Sequence, residues 1–327
     1  MEDLLRIENL HISYRTMEGT VYAVNGVNLS VEKGETLGLV GETGAGKTTT
    51  ALSILNLLPK PAASVDQGRI LFQNRDLLAA SKREIRKIRG DRIAMIFQDP
   101  MTSLNTSFRI GNQVAEVLRI HRKELGKREI EERTARLLET VGIGRERWDD
   151  YPHQLSGGMK QRVMIAMALA CSPELLLADE PTTALDVTIQ AQVLQLMRHL
   201  KEEFGMAMML ITHDLGVVAE NCERVAVLYA GEVLETGTAE EIFDGPVRHP
   251  YTEGLLRAIP SPDHKISRLS PVAGQTPDPS KLLPGCVFAP RCPHCSKRCL
   301  EDKPKERQRG GHRIKCHLFA DKAEWRE

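Results

Sequence analysis

The chain opens on short apolar or alternating runs, and residues 5–10, 27–31 and 36–40 each read as strands. The third leads directly into a glycine-rich loop and then an apolar helix over 47–57. Another strand pattern covers 68–74. From about 100 to 142 the hydrophobic period lengthens to that of helices, with amphipathic runs at 111–120 and 127–141. Strand signals return at 174–178 and 207–212, with a helix over about 189–204 between them. Residues 224–228 and 232–235, joined at Ala230-Gly231, read as a hairpin. Strand, helix and strand in alternation predict an α/β fold with a parallel core sheet, and the helical stretch is an insertion into it. After Gly245 the texture changes. Eight prolines between Pro246 and Pro284 punctuate a linker-like segment, and a cysteine-rich tail follows.

A chain of 327 residues suggests one large domain and an appendage. Its 41% hydrophobic content suffices for a core. Lys+Arg and Asp+Glu are both 44, and this neutrality argues against a general nucleic-acid binder, so no nucleic-acid partner is expected. The longest apolar run, 163–171, is about half of the ~18 residues that a bilayer span needs. The N-terminal residues lack the basic and apolar regions of a secretion signal. The expectation is a soluble, cytosolic chain; in a membrane process, other chains would supply the membrane part. Five of the seven cysteines fall between Cys286 and Cys316, which reads as metal ligation rather than disulfides.

The loop after the third strand is Gly41-Glu42-Thr43-Gly44-Ala45-Gly46-Lys47-Thr48, the G-x-x-x-x-G-K-[ST] pattern of a P-loop. Glycines let backbone N–H groups turn inward around phosphates, and the following helix adds positive potential at its N-terminus. Lys47 is placed to reach the β- and γ-phosphates of a nucleoside triphosphate, and Thr48 to ligate Mg²⁺. Gly41, Thr43, Gly44, Ala45, Gly46, Lys47, Thr48 and Thr49 are the candidate nucleotide-binding set. Further on, an apolar run ends in Asp179-Glu180. Asp179 suits the Mg²⁺ shell and Glu180 the activation of an attacking water. Gln98 and His213 each follow an apolar strand-like run and are candidates for the γ-phosphate. Leu155-Ser156-Gly157-Gly158 opens a helix running to about Cys171, with Ser156 as N-cap and glycines that can present N–H groups to an anion.

In this order the motifs resemble those of the ATP-binding subunits of ABC transporters, over residues 1 to about 245. The resemblance implies a P-loop NTPase core of ABC type with an antiparallel β subdomain, a helical subdomain inserted at about 99–173, and a small Cys-rich C-terminal region over 246–327. It makes the stretch from Leu155 the LSGG-x-Q signature, with Met159-Lys160 here before Gln161 as a tolerated variation, which completes an ATP site on a second subunit through Ser156, Gly157 and Gly158. Gln98 becomes the Q-loop glutamine and a further Mg²⁺ ligand, Ala184-Leu185-Asp186 the D-loop, and His213 the switch histidine. Tyr14 is the candidate to stack on adenine, with Tyr22 as its rival. ATP hydrolysis is the implied activity.

Three stretches narrow the resemblance to the ATPases of dipeptide and oligopeptide importers, a group that also serves nickel uptake. They are QDPMTSLN from Gln98, HPYTEGLL from His249, and GCVFAPRCPHCSKRC in the tail. The implied partners are a second ATPase subunit (a paralogue), two transmembrane permease subunits and an extracytoplasmic substrate-binding protein, with this chain at the cytoplasmic face of the membrane. The alternatives are a nickel importer ATPase and a soluble ABC ATPase acting on nucleic acid or ribosomes. In the tail, spacing permits zinc, with Cys292-x-x-Cys295 as a half-site, or an iron–sulfur cluster. The resemblance implies a [4Fe–4S] cluster on Cys286, Cys292, Cys299 and Cys316, leaving Cys295 as an extra thiol.

Overall fold

The computed structural model describes residues 3–99, 103–183, 185–258, 272–320, 322, 324 and 325. In chain order the first elements are β1 (Asp3–Thr16), β2 (Gly19–Glu32), β3 (Thr36–Val40), α1 (Lys47–Ile54), β4 (Ala63–Phe72) and β5 (Arg75–Asp76). Then come α2 (Lys82–Ile88), β6 (Ile93–Ile96), α3 (Ile110–His121), α4 (Lys127–Thr140), α5 (Gly157–Leu169), β7 (Leu175–Asp179), α6 (Val187–Phe204) and β8 (Ala207–Ile211). The last are α7 (Leu215–Asn221), β9 (Arg224–Tyr229), β10 (Glu232–Thr238), α8 (Ala239–Phe243), α9 (Pro250–Arg257), α10 (Lys297–Glu301), β11 (Arg307–Arg309) and β12 (His312–Ile314). The chain divides into two compact units.

The first unit holds residues 5–30, 36–78 and 212–327. It carries an antiparallel sheet in the order β2-β1-β4-β5. Alternation along β1 sends Leu5 and Ile7 into the core, opposite Phe72 and Ile70 of β4. A bulge then shifts the register beyond Glu8. Gly68, at φ 105, approaches it so closely that a Cβ would lie 2.5 Å from the Asn9 carbonyl oxygen. A second set of strands has the order β11-β12-β10-β9-β3, with β3 parallel to β9. All five residues of β3 are buried, which is why its sequence is apolar rather than alternating. Ala230 (φ 45) and Gly231 (φ 79) make the tight turn between β9 and β10.

The second unit holds residues 1–4, 31–35 and 79–211. Here β6, β7 and β8 run parallel and are largely buried. Helices α3 and α4 bury one stripe each, and Ala115, Leu118, Ile130 and Cys171 form a core between them and the end of α5. Two predicted elements end early. The helix expected over 47–57 stops at Ile54, before a turn at Asn56 (φ 50). The strand expected over 68–74 is β4, which stops at Phe72 because Gln73 and Asn74 both turn at positive φ. Helix α2 was not predicted, although Ser81 and Glu84 spell its capping box.

The C-terminal segment builds onto the first unit. β12 pairs antiparallel with β10 through Glu235↔Ile314. His249 caps α9, its Nδ1 accepting the N–H of Tyr251 at 3.0 Å, while its own N–H donates to the buried Glu235 carboxylate at 3.0 Å. Burial pulls the His249 imidazole down to about 4, against an opposing pull from Glu235. The folded protein thus refuses a proton that the unfolded chain accepts near 6.5, and folding stability falls as pH drops from about 6.5 toward about 4. Denaturant unfolding at pH 7 and 4.5 should show this loss. His249→Asn, which keeps a capping acceptor but cannot titrate there, should show a smaller one. An equal loss in both proteins would exclude His249 as its source.

Candidate functional site

The loop between β3 and α1 is made possible by its glycines. Gly41 and Gly46 sit at φ 151 and 103, and a Cβ on either would fall 2.0 Å from the Leu228 carbonyl oxygen or 2.4 Å from that of Ala23. Gly44 also has positive φ, and the Ala45 N–H closes a turn on the Glu42 carbonyl at 3.1 Å. Lys47 is buried, and its ammonium donates to the carbonyls of Gly41 (2.7 Å) and Glu42 (3.1 Å). Thr48 is exposed at the start of α1, and Thr43 and Gly44 are exposed on the loop. The Thr49 hydroxyl lies 3.2 Å from the hydroxyl of Tyr14, which places Tyr14 beside the helix start. Tyr22 also borders the loop. It lines a cavity of about 260 Å³ with Glu42–Ala45 and tail residues Thr276–Pro279 and Lys281–Leu283.

In the second unit, strand β7 ends in the buried Asp179. Strand alternation would send Glu180 to the opposite face, but Glu180 leaves the strand at φ 46. Its N–H is held by the Ile211 carbonyl at 2.8 Å. Its carboxylate oxygen accepts from the Gln98 amide and from the Thr183 hydroxyl, each at 2.9 Å. A non-glycine residue in the left-handed region costs of order ~1–3 kcal/mol and persists only where its surroundings fix it, as three hydrogen bonds do here. Thr183 was not among the predicted residues; its only signal was the Pro-Thr-Thr that follows the acid pair.

The signature helix α5 starts at Ser156, whose hydroxyl accepts the Met159 N–H at 3.3 Å. Ser156 and Gly157 are exposed. Gly158 meets α6, where a Cβ would lie 2.6 Å from Ile189 Cγ2. Gln161 is buried instead, with its amide nitrogen unpartnered. Asp186 caps α6 by accepting the Ile189 N–H at 2.9 Å. Ala184, like Pro100, Met101 and Thr102 of the stretch after Gln98, lies outside the described residues. His213, an exposed residue between β8 and α7, belongs to the unit of the phosphate loop, whereas Gln98, Asp179, Glu180 and the signature belong to the other.

The profile described as "ABC transporter" matches residues 24–183, and that of the "Oligopeptide/dipeptide transporter, C-terminal region" matches 234–299. The chain is 49% identical to the dipeptide transport ATP-binding protein DppD of Bacillus subtilis (strain 168), over 99% of this chain and 97% of that one. It is 47% identical to the oligopeptide transport ATP-binding protein AppD of the same organism, over 98% of each chain. Among solved structures, a dimeric ATP-binding cassette in a post-hydrolysis state with ADP and Pi is similar at a TM-score of 0.65 and 31% identity. That likeness covers 72% of this chain and 98% of the other.

The expected tail cluster is corrected. Among the described residues no group of three or more His, Cys, Asp or Glu side chains is placed to hold a metal ion, and the similar proteins are described by ATP binding and peptide transport alone. Neither the [4Fe–4S] assignment to Cys286, Cys292, Cys299 and Cys316 nor the zinc alternative with Cys295 stands. Burial pushes the Cys286 thiol up to about 11 and the Cys316 thiol up to about 12, with further upward contributions from neighbouring cysteines. Cys295 is exposed.

For the phosphate loop, Gly46→Ala should lower unfolding stability by about 2 kcal/mol or more, since the new Cβ must displace a backbone carbonyl at an unfavourable φ. Denaturant unfolding would measure this, and a loss below about 0.5 kcal/mol would mean the loop tolerates a side chain there.

Proposed function

We propose a division of labour among the residues of a chain that belongs to the family of ATP-binding subunits of dipeptide and oligopeptide ABC transporters. The chain binds and hydrolyses ATP with Mg²⁺, and that hydrolysis powers import of di- and oligopeptides through a membrane transporter. It is a peripheral subunit at the cytoplasmic face of the membrane and works with permease and substrate-binding partners. Similarity along the whole chain to peptide-transport ATP-binding proteins, joined to a separate match over the C-terminal region, carries the peptide reading. We divide the chain into a nucleotide-binding domain over 1–245, with a helical subdomain at about 99–173, and a C-terminal region over 246–327.

The triphosphate enters the loop of Gly41–Thr48, and Lys47 exchanges its two carbonyl acceptors for phosphate oxygens. Tyr14, whose hydroxyl lies beside Thr49, stacks on the adenine; Tyr22, which lines a cavity with Glu42–Ala45, is its rival. The Thr48 hydroxyl, the Asp179 carboxylate and the Gln98 amide oxygen are hard oxygen donors of the kind Mg²⁺ takes. The bound ion supplies charge neutralisation on the phosphate oxygens. Glu180 is the general base: it takes a proton from water as the water oxygen attacks the γ-phosphorus and the bond to the ADP oxygen breaks. Gln98 and Thr183 hold that carboxylate in place, and His213 donates to the γ-phosphate. Ser156, Gly157 and Gly158 face the nucleotide of the partner ATPase, a reading supported by the exposure of the first two. Asp186 lies at the same interface. The partner is a paralogue, and two permease subunits dock on the segment following Gln98.

Glu180→Gln should bind ATP normally but lower the hydrolysis rate ~10²–10⁴-fold, the usual worth of a general base. Phosphate release beside equilibrium nucleotide binding would test this, and wild-type turnover would remove Glu180 from the role. Separately, single cysteines at Ser103–Asn105 should cross-link to a permease subunit in the assembled transporter. Cross-links confined to residues 246–284 would move the docking site.

A further inference from the structure

We propose that the C-terminal region positions the phosphate loop through Glu42, with Arg291 and Tyr251 as positioning residues for nucleotide binding. Glu42 is the second residue of the loop, and each of its polar groups is occupied. Its N–H donates to the Tyr251 hydroxyl at 3.0 Å. Its carbonyl accepts from Lys47 at 3.1 Å. Its carboxylate receives a two-pronged contact from Arg291, Nη1 to Oε2 at 2.7 Å and Nη2 to Oε1 at 3.1 Å. Two side chains of the C-terminal region therefore hold the residue whose carbonyl holds the loop lysine.

The Arg291 side chain is only 5% exposed, and its remaining donor capacity is also used. Nε donates to the Ala273 carbonyl at 2.9 Å, Nη2 to the Val272 carbonyl at 2.8 Å, and Nη1 to the Tyr229 hydroxyl at 3.3 Å. A guanidinium with all five N–H groups engaged is a rigid fork, a role Lys cannot reproduce. These contacts hold its pKa above the ordinary arginine range despite an opposing burial effect. Tyr251 is fully buried and packs on Tyr229 and Phe288, with ring centroids 4.5 and 5.3 Å away. Both positioning groups thus stand on one aromatic platform.

Charge explains why the contact bears on ATP and not only on folding. An acidic side chain in a loop built to cradle a triphosphate repels the ligand unless it is neutralised. Arg291 supplies the neutralising charge from outside the loop, where it cannot compete for phosphate. The fork also limits the freedom that three positive-φ glycines give the loop, so less ordering remains to be done when nucleotide binds. This inference rests on Gly41–Thr48 being the nucleotide loop.

The test uses the full-length chain, with equilibrium binding of Mg²⁺–ADP and the KM for ATP as readouts. Arg291→Ala should weaken ADP binding and raise KM by about tenfold, equivalent to ~1.4 kcal/mol, with kcat at saturating ATP within about twofold. The double variant Glu42→Gln/Arg291→Ala should recover most of that loss, because the uncompensated charge is gone. A role confined to folding predicts no such recovery. Tyr251→Phe should give a smaller loss, of about threefold, on the order of a single neutral hydrogen bond. If Arg291→Ala does not fold, Arg291→Gln, which also removes the charge, takes its place in the single and the double variant with the same two outcomes. Wild-type ADP affinity in the Arg291 variant, or a double variant no better than the single, overturns the proposal. A wild-type chain that binds no nucleotide would instead overturn the reading of the loop, and the proposal with it.

Discussion

The loop over Gly41–Thr48 is shaped by two backbone segments that come close enough to forbid side chains. Leu228, at the end of β9, aims its carbonyl at Gly41, and Ala23 of β2 aims its own at Gly46. The turn after β9 completes the cage: the Gly231 N–H donates to the Ala45 carbonyl at 3.0 Å, and the Asn25 amide bridges the Tyr22 and Ala230 carbonyls at 3.2 Å each. Gly231 is itself confined, since a Cβ there would lie 2.9 Å from the Ala23 carbonyl oxygen. The loop is thus held from both sides by main chain, which cannot shift rotamer to make room. Preorganisation of this kind lets backbone N–H groups face a ligand without a large ordering cost on binding.

The chemistry of the other unit depends on a second local strain. Glu180 departs from the strand in the left-handed region, so two consecutive carboxylates escape the alternation that would separate them. Gln98 and Thr183 each hold the carboxylate at 2.9 Å where the chain leaves the strand. In the loop of the first unit, the Glu42 carboxylate is held by a charged partner, the Arg291 guanidinium.

Most of the first unit's phosphate loop was legible because it depends on residue types at fixed spacing. The loop needs its glycines, its Lys and its hydroxyl, and each is visible in the string. The buried strands were legible as apolar runs, and β3 was placed to the residue. What could not be read was anything depending on pairing across long stretches of chain. Arg291 follows Glu42 by 249 residues, and nothing in APRC marks the arginine as a partner of the loop. The short strands β11 and β12 have three residues each, too few to show alternation against their neighbours. Tyr251 was noticed only as part of a family-marking stretch; its contact with the loop needed the fold.

The tail shows where a sound premise led to a wrong conclusion. The segment after residue 245 is too proline-rich and too small to hold a core by itself, and a metal staple follows from that if the segment stands alone. It does not stand alone. β12 extends the strands of the first unit by pairing with β10, and the Lys303 ammonium reaches the Glu232 carboxylate at 2.6 Å. The buried Glu235 carboxylate joins the His249 N–H to the His312 ring, at 3.0 and 2.7 Å, tying two tail segments to one strand. Phe288 packs edge-on to Tyr229 of β9, and Ile314, Cys316, Phe319 and Trp325 form a small cluster within the tail. A segment that borrows the sheet and core of its neighbour has its ordering entropy offset by that neighbour's surface. The same borrowing brings Arg291 and Tyr251 against the phosphate loop, so the contacts that keep the tail folded also fix residue 42.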